Sequence, residues 1–581
     1  MTPSLNATTT RPLRRLWVFA VISWFAYLLV TVSSQSLHES GSGQHSLLYL
    51  LGLFGVAMMC YWMAIRETSR LPSDRRTLIA VIVPAILFRV TLLFSDPIEE
   101  IDIYRYLWDG EAVISGVNPF RYSPHQVLGT SLESGLPDDL ARLVARRDRS
   151  VEMRMILERV HFGQLPTIYP PVSQCIFALA TSTTPSGSSV VARMIVLKSW
   201  FVVFDLGTIW LVAELLRRTS HPLKWIILYA WCPLLMKEIA NSGHLDALAV
   251  FLTTAASLCA VGIGESHSRS RSDRFWSAAS GIFLALAVGA KLYPMILAPW
   301  LFSRFVRRRG WRFALLPCLL FSVLSLLVTW PMWPDRTPSL AATESHTAYP
   351  AIQSEGEPPL PPAEVTTEPR DPSESLRAFL SKWEMNDFFF LVVIENLRPN
   401  SEVPQNEVAW FSVVPERFRE RIVDMASELL PVDRSQLPFM LTRALLTVLF
   451  TGLAIRWAWA AAGQTRDDLW LEAGFLTLVW FWLLLPTVNP WYLTWCLPFL
   501  TFTRNRAWLM LPGLAFFYYV RFWLVAQFPD FVPGTHYTGA IFFDYVMTWI
   551  EFAPWLICLS LEAQEDDGRS GKIERKGSRS G

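Results

Sequence analysis

Apolar runs about as long as a bilayer-crossing helix recur from one end of this chain to the other. Such a helix needs about 20 mostly apolar residues. Fourteen stretches qualify, at 16–33, 46–65, 78–94, 191–215, 224–240, 245–263, 275–290, 293–306, 313–333, 439–461, 470–486, 491–503, 507–526 and 541–561. They are too numerous to be the cores of soluble domains. Composition agrees: 17% of the 581 residues are charged, against about 25% in soluble proteins. The expected fold class is an all-α polytopic membrane protein with about 14 transmembrane helices. A net charge of +1 argues for neither nucleic acid nor an acidic partner. The seven cysteines, Cys60, Cys175, Cys232, Cys259, Cys318, Cys496 and Cys558, all lie in apolar stretches without a Cys-x-x-Cys pair. Each is therefore read as a buried small hydrophobe, not as part of a disulfide or zinc site.

Orientation follows from the Lys/Arg bias of short loops. With Arg14 and Arg15 in the cytoplasm, the loop carrying Arg66, Arg70, Arg75 and Arg76 also faces in. So do Arg217, Arg218 and Lys224; Arg269, Arg271 and Arg274; Arg307, Arg308, Arg309 and Arg312; Arg504 and Arg506; and the tail with Lys572, Arg575, Lys576 and Arg579. The scheme requires that the apolar stretch 170–183 not cross. It reads instead as a helix in the membrane interface, started by Pro170 and Pro171. The stretch 16–33 follows Arg11, Arg14 and Arg15 but is long and lacks an Ala-x-Ala site, so it reads as an uncleaved anchor.

These boundaries divide the chain into a cytoplasmic N-terminus (1–15), three spans (16–94), a first large extracytoplasmic loop (95–190), spans four to nine (191–333), a second such loop (334–437), five spans (438–561) and a basic cytoplasmic tail (562–581). The first loop contains an amphipathic stretch around 140–160. The second opens on a Pro/Glu/Thr/Ser-rich segment, 334–375, too polar to fold alone. It continues through Trp383-Glu384-Met385-Asn386-Asp387 to a helix near 415–430.

The topology places several polar motifs on one side. Asp102 and its neighbours follow the third span; Asn241-Ser242-Gly243-His244-Leu245-Asp246, Lys291-Leu292-Tyr293-Pro294 and Asn489-Pro490-Trp491-Tyr492 fall at turns on the same face. None was used to set the orientation. Each has a plainer reading: Asp102 pairing with Arg105, Asp109-Gly110 as a turn, Asp246 as a helix-start charge, Lys291 snorkelling, Trp491 and Tyr492 as an interfacial belt. Lys198 and Asp205, seven apart, read as an internal ion pair, with Arg89, Glu238 and Glu472 in similar structural roles. Charge near hydrocarbon is costly, so the shared placement of the first set argues for one site.

The run Asp102-Ile-Tyr-Arg-Tyr-Leu-Trp-Asp-Gly110, with Gly116-Val-Asn-Pro119 and Tyr122-Ser-Pro124, resembles the first outer loop of bacterial GT-C fold glycosyltransferases, mannosyltransferase-like enzymes that use polyprenyl-phosphate sugars. Tyr169-Pro170-Pro171, Gly243-His244-Leu245-Asp246, Lys291-Leu292-Tyr293-Pro294 and Pro490-Trp491-Tyr492 extend the likeness from about residue 85 to 500. Family members often carry two adjacent acids before the Tyr-Arg-Tyr run. Here Ile101 takes the first place, which removes one carboxylate from any paired metal site.

The resemblance implies inverting transfer of a hexose from a polyprenyl-phosphate donor to a glycan, lipid or protein acceptor outside a bacterial inner membrane. Asp102 is the implied general base, and Arg105 and Lys291 the cations for the leaving phosphate. Tyr293 and His244 are implied donors, and Trp108, Trp491 and Tyr492 stacking surfaces. Tyr104, Asp109, Asn118 and Asp246 complete the implied substrate contacts. No organic cofactor is required; a divalent cation is the one cofactor left open. The competing class is a multi-span transporter or lipid flippase; a third is an envelope scaffold.

Overall fold

The computed structural model describes residues 5–35, 43–263, 271–334, 366–402, 408–503 and 505–577. Most of the expected unfolded segment 334–375 lies outside them, as do Arg269, Arg504 and Arg579. Every regular element among the described residues is helical, apart from an isolated bridge between Met385 and Thr487. Seven helices are long and apolar enough to cross a membrane: Thr10–Ser34, Leu47–Ser69, Val190–Arg218, Trp311–Met332, Arg434–Ala462, Arg506–Gln527 and Gly539–Glu562. The chain is therefore a helical, membrane-embedded protein. Arg75–Leu92, Asp246–Ala260, Arg271–Ala290 and Asp467–Leu483 are further helices within expected spans.

Several of the expected spans are not continuous α-helices, and two of these breaks bear on the site. The stretch 224–240 breaks into the short pieces Leu223–Ile226, Ile227–Ala230, Pro233–Leu235 and Met236–Asn241, the last a wide π-helical turn. The stretch 491–503 breaks into Pro490–Leu493 and Leu497–Phe502. Pro233 and Pro498 account for the breaks, because proline disfavours a helical residue before it and lacks the N–H of a continuing ladder. Hydropathy averages over such breaks.

The first loop is built on two helices packed face to face. Asp102–Ile114 lies against Pro171–Thr183. Gly110 makes their closeness possible: a Cβ there would sit 2.4 Å from Thr181 Oγ1 and 2.6 Å from the Phe177 carbonyl oxygen. Tyr106 stacks on Phe177 at 4.8 Å and meets Tyr169 edge-on at 4.9 Å. Pro171–Thr183 has 13 residues, about 20 Å of helix against a hydrocarbon layer of about 30 Å. That length suits the expected interfacial helix. The amphipathic stretch forms Asp138–Arg147 and Val151–Glu158.

The second loop contributes Glu374–Lys382, Phe388–Ile394 and the expected helix, Glu416–Leu429. It folds over the first loop. The Arg370 amide donates to the Arg121 carbonyl at 2.7 Å, and Ser375 Oγ donates to the Pro166 carbonyl at 2.8 Å. Met385 exchanges backbone hydrogen bonds with Pro486 and Val488, both at 2.9 Å.

Two side-chain expectations need correction. Lys198 and Asp205 do not pair. Arg89 reaches Asp205 from the preceding helix, Tyr229 Oη donates to the same carboxylate at 2.6 Å, and Lys198 Nζ donates to the Leu92 and Ser95 carbonyls at 3.0 and 2.8 Å. A seven-residue spacing puts two side chains on one helix face, but only the neighbouring helix decides their partners. Of the seven cysteines expected to be buried, Cys175 is exposed and Cys318 and Cys558 are half-buried. All seven cysteines are free.

Candidate functional site

The site forms where the start of the Asp102 helix meets the two broken segments. Asn241, at the end of the π turn, ties the first loop down: its Nδ2 donates to Ser95 Oγ at 2.8 Å and the Asp96 carbonyl at 2.7 Å, and its Oδ1 accepts from the Ile98 amide at 3.2 Å. Gly243 follows at φ +73°, a conformation natural to glycine, and any Cβ there would lie 2.9 Å from Lys198 Cγ. The tight turn brings His244 up against the first loop.

His244 is buried and stacks on Trp491, ring centroids 4.5 Å apart and planes 18° from parallel. Its Nε2 lies 3.1 Å from Glu100 and 3.4 Å from Glu238. Glu100 Oε1 in turn accepts from the Asp102 amide at 2.8 Å. The Asp102 carboxylate, half-buried, accepts a hydrogen bond from Tyr169 Oη at 2.7 Å.

Electrostatics separates the two acids. Burial disfavours the Glu100 charge, but His244 together with Lys237 and the Asp102 amide outweighs it and holds Glu100 down at about 2. Burial and the neighbouring Glu100 carboxylate push Asp102 up to about 6, against the opposing pull of Tyr169, His244 and Lys291. Burial would lower His244, yet Glu100 and Glu238 carry it up to about 9. One acid is thus fixed as a counter-ion while the other titrates near neutrality, which is the condition for acid–base work.

A second wall is cationic and aromatic. Lys291 Nζ donates to both oxygens of Asp246 at 2.6 and 2.7 Å, and lies 4.5 Å from the Tyr492 ring and 5.4 Å from the Trp495 ring. Trp495 stacks on Tyr293 at 4.0 Å and on Tyr492 at 4.4 Å, and its indole N–H donates to Asp246. Asp246 therefore anchors Lys291 and Trp495 rather than standing open.

The structure thus brings Asp102, His244, Asp246, Lys291, Tyr293, Trp491 and Tyr492 into one neighbourhood. Five other expected residues support it from outside. Arg105 is buried and donates to the carbonyls of Leu165, His161 and Phe162 at 3.0, 3.0 and 2.9 Å. It holds a turn in which Phe162 has φ +50°. Asp109 is buried and accepts from Gln174 Nε2 at 3.0 Å. Trp108 is buried on the same helix. Asn118 Oδ1 accepts from the Phe120 amide at 3.0 Å, within its own turn. Tyr104 Oη accepts from Arg159 Nη1 at 2.8 Å.

Trp495 and Glu100 were not singled out from the sequence as site residues. Trp495 carried a usable signal, four residues after Trp491 and so within one helical turn of it. Glu100 carried a weaker one, two residues before Asp102.

Ligand atoms of Glu100, Asp102 and His244 all lie within 4.8 Å of one another. Two carboxylates and an imidazole suit a divalent ion such as Zn²⁺ or Mn²⁺. The same imidazole nitrogen cannot both carry a proton and bind a metal, so a protonated His244 and a divalent ion are alternative sources of positive charge at this point. No family model, no curated protein and no solved structure matches the chain.

Proposed function

We propose that the protein is a GT-C-type integral-membrane glycosyltransferase that moves a hexose, mannose-like, with inversion, from a polyprenyl-phosphate sugar to an extracytoplasmic acceptor. The observation that carries the reading is Asp102: a half-exposed carboxylate, pushed up to about 6, beside a fixed counter-ion pair and a wall of cation and aromatic rings. In this reading Asp102 takes the proton from the acceptor hydroxyl as that oxygen attacks the anomeric carbon. The bond from that carbon to the phosphate oxygen breaks, and the lipid phosphate leaves from the opposite face. Charge gathers on the departing phosphate, and His244 and Lys291 are the cations close enough to stabilise it in a poorly solvated setting. Trp491 and Tyr492 offer ring faces to the sugar. Arg105 serves by holding the 161–165 turn, not by meeting phosphate.

The membrane topology in this proposal has fourteen crossings, counting broken and short segments, with both termini in the cytoplasm and the basic loops opposite Asp102. The transporter or flippase alternative draws on the intramembrane charges Arg89, Lys198 and Asp205. All three have protein partners, so they fit a fixed scaffold better than a moving substrate path. The test is transfer of radiolabelled sugar from a synthetic polyprenyl phosphate by the purified protein and by Asp102→Asn. Label in the acceptor only with the unaltered protein supports the reading. Equal transfer by both proteins would remove Asp102 from it, and lipid translocation without transfer would replace it with the alternative.

A further inference from the structure

Glu238 is completely buried beside Lys237, at the end of a run, 225–236, that carries no charge, and charge in such surroundings is costly. It sits in the π turn Met236–Asn241, a rare geometry that concentrates at functional sites. Its Oε1 accepts from Tyr519 Oη at 2.7 Å; Lys237 Nζ donates to that same hydroxyl at 2.6 Å and lies 3.5 Å from Glu238 Oε2. Oε2 faces His244 Nε2 at 3.4 Å, and the Glu238 carbonyl accepts from the His244 amide at 3.0 Å. On the other side of Nε2 stands Glu100, which accepts from the Asp102 amide. A single line of polar groups therefore runs Tyr519–Glu238–His244–Glu100–Asp102 through three separate segments.

The two ends of this line differ. Glu238 is locked by Tyr519 and Lys237, all three being buried. Glu100 lies on a loop whose preceding residue, Glu99, has φ +48°, although its side chain is only 6% exposed. Stacking on Trp491 restrains the tilt of the imidazole, while rotation within its own plane is set by what its nitrogen faces. Glu100 is held from an irregular loop by the Asp102 amide and His244, whereas Glu238 is held within a helical turn by Tyr519 and Lys237 and is the better-anchored end.

We propose that Glu238 is a positioning residue: it fixes the His244 ring, and through it the Glu100 carboxylate that holds the start of the Asp102 helix. The inference rests on the transferase reading above and adds to it a residue that meets no substrate. The test is a double-mutant cycle on sugar transfer, using Glu238→Gln, His244→Asn and the pair, with Glu238→Asp as the conservative variant. Glu238→Gln is expected to lower kcat about tenfold or more, the worth of one hydrogen bond to a charged group, with donor KM within about twofold. Glu238→Asp should recover part of that loss. In the His244→Asn background Glu238→Gln should add less than about twofold, since the two act as one unit. Should Glu238→Gln fail to fold, Tyr519→Phe, which removes the anchor, takes its place in the cycle. A full additional loss in the His244→Asn background, or near-normal kcat in Glu238→Gln, would overturn the inference while leaving the transferase reading intact. No transfer by the unaltered protein from any polyprenyl donor would overturn both.

Discussion

Two polar clusters are sunk into this apolar scaffold, and they are built on opposite plans. Around Asp205, one carboxylate meets Arg89 and Tyr229, while Arg89 Nη1 donates to the Ala85 and Ala230 carbonyls at 2.9 and 2.8 Å. Both charged side chains are at most 1% exposed. Around Asp102, two carboxylates crowd one imidazole, and the catalytic candidate is left half-exposed with Tyr169 as its hydrogen-bond donor. The first cluster is neutralised and closed. The second has a surplus of like charge, and its Asp102 is only half-buried. A polar group in an apolar surround is not in itself a functional signal; incomplete neutralisation around a half-buried acid is.

The sharpest break of this comparison comes from removing one acid or base from each cluster. Asp102→Asn should lower kcat by about 10³-fold, within the range for losing a general base, and leave thermal unfolding in detergent almost unmoved. Arg89→Ala should do the reverse. Breaking a closed buried pair costs about 3–5 kcal/mol of stability, so the yield of folded protein should fall while transfer per folded molecule persists. Loss of turnover without loss of stability in Arg89→Ala would erase the distinction.

Smaller changes sharpen it. Lys291→Ala should raise donor KM about tenfold, because one charge-assisted contact to phosphate goes; a lysine serving only Asp246 would leave KM unchanged. Transfer should decline as pH falls through about 6, since burial and Glu100 raise Asp102 to that value and its protonated form cannot act as a base. A pH profile of kcat/KM reads this limb directly. Tyr169→Phe removes a hydrogen bond that favours the carboxylate, so the same limb should move to higher pH by up to about one unit. An unmoved limb would mean that some other group titrates there.

Much of this arrangement could be read from the sequence, for a physical reason. Asp102, His244, Lys291 and Trp491 are polar or aromatic interruptions at the ends of apolar runs, and the charge bias of the loops alone put those ends on one side. What could not be read depends on neighbours. Arg89, not Lys198, meets Asp205, because helix packing decides it. Arg105 turned away from the site to hold carbonyls of a strained turn, a role with no sequence signature. Glu238 was read as a structural charge, because hydropathy does not register the break that Pro233 introduces. The pieces around Pro233 and Pro498 show where hydropathy fails: it measures solubility in lipid and says nothing about the continuity of a helix.

Gly110 gives this architecture an adjustable dimension. The acid at the start of its helix stands where it does because one methyl group is missing, two helical turns further on, under the Phe177 carbonyl. Overpacking at such a point costs about 1–3 kcal/mol, and relief comes most readily by spreading the two helices apart. Side-chain size at position 110 is thus a spacer that sets the separation of the Asp102 helix from its neighbour without touching any charge. Under the proposed transferase reading, the reach between a lipid-anchored donor and a water-borne acceptor would be a length set by a packing contact on the far end of a short helix.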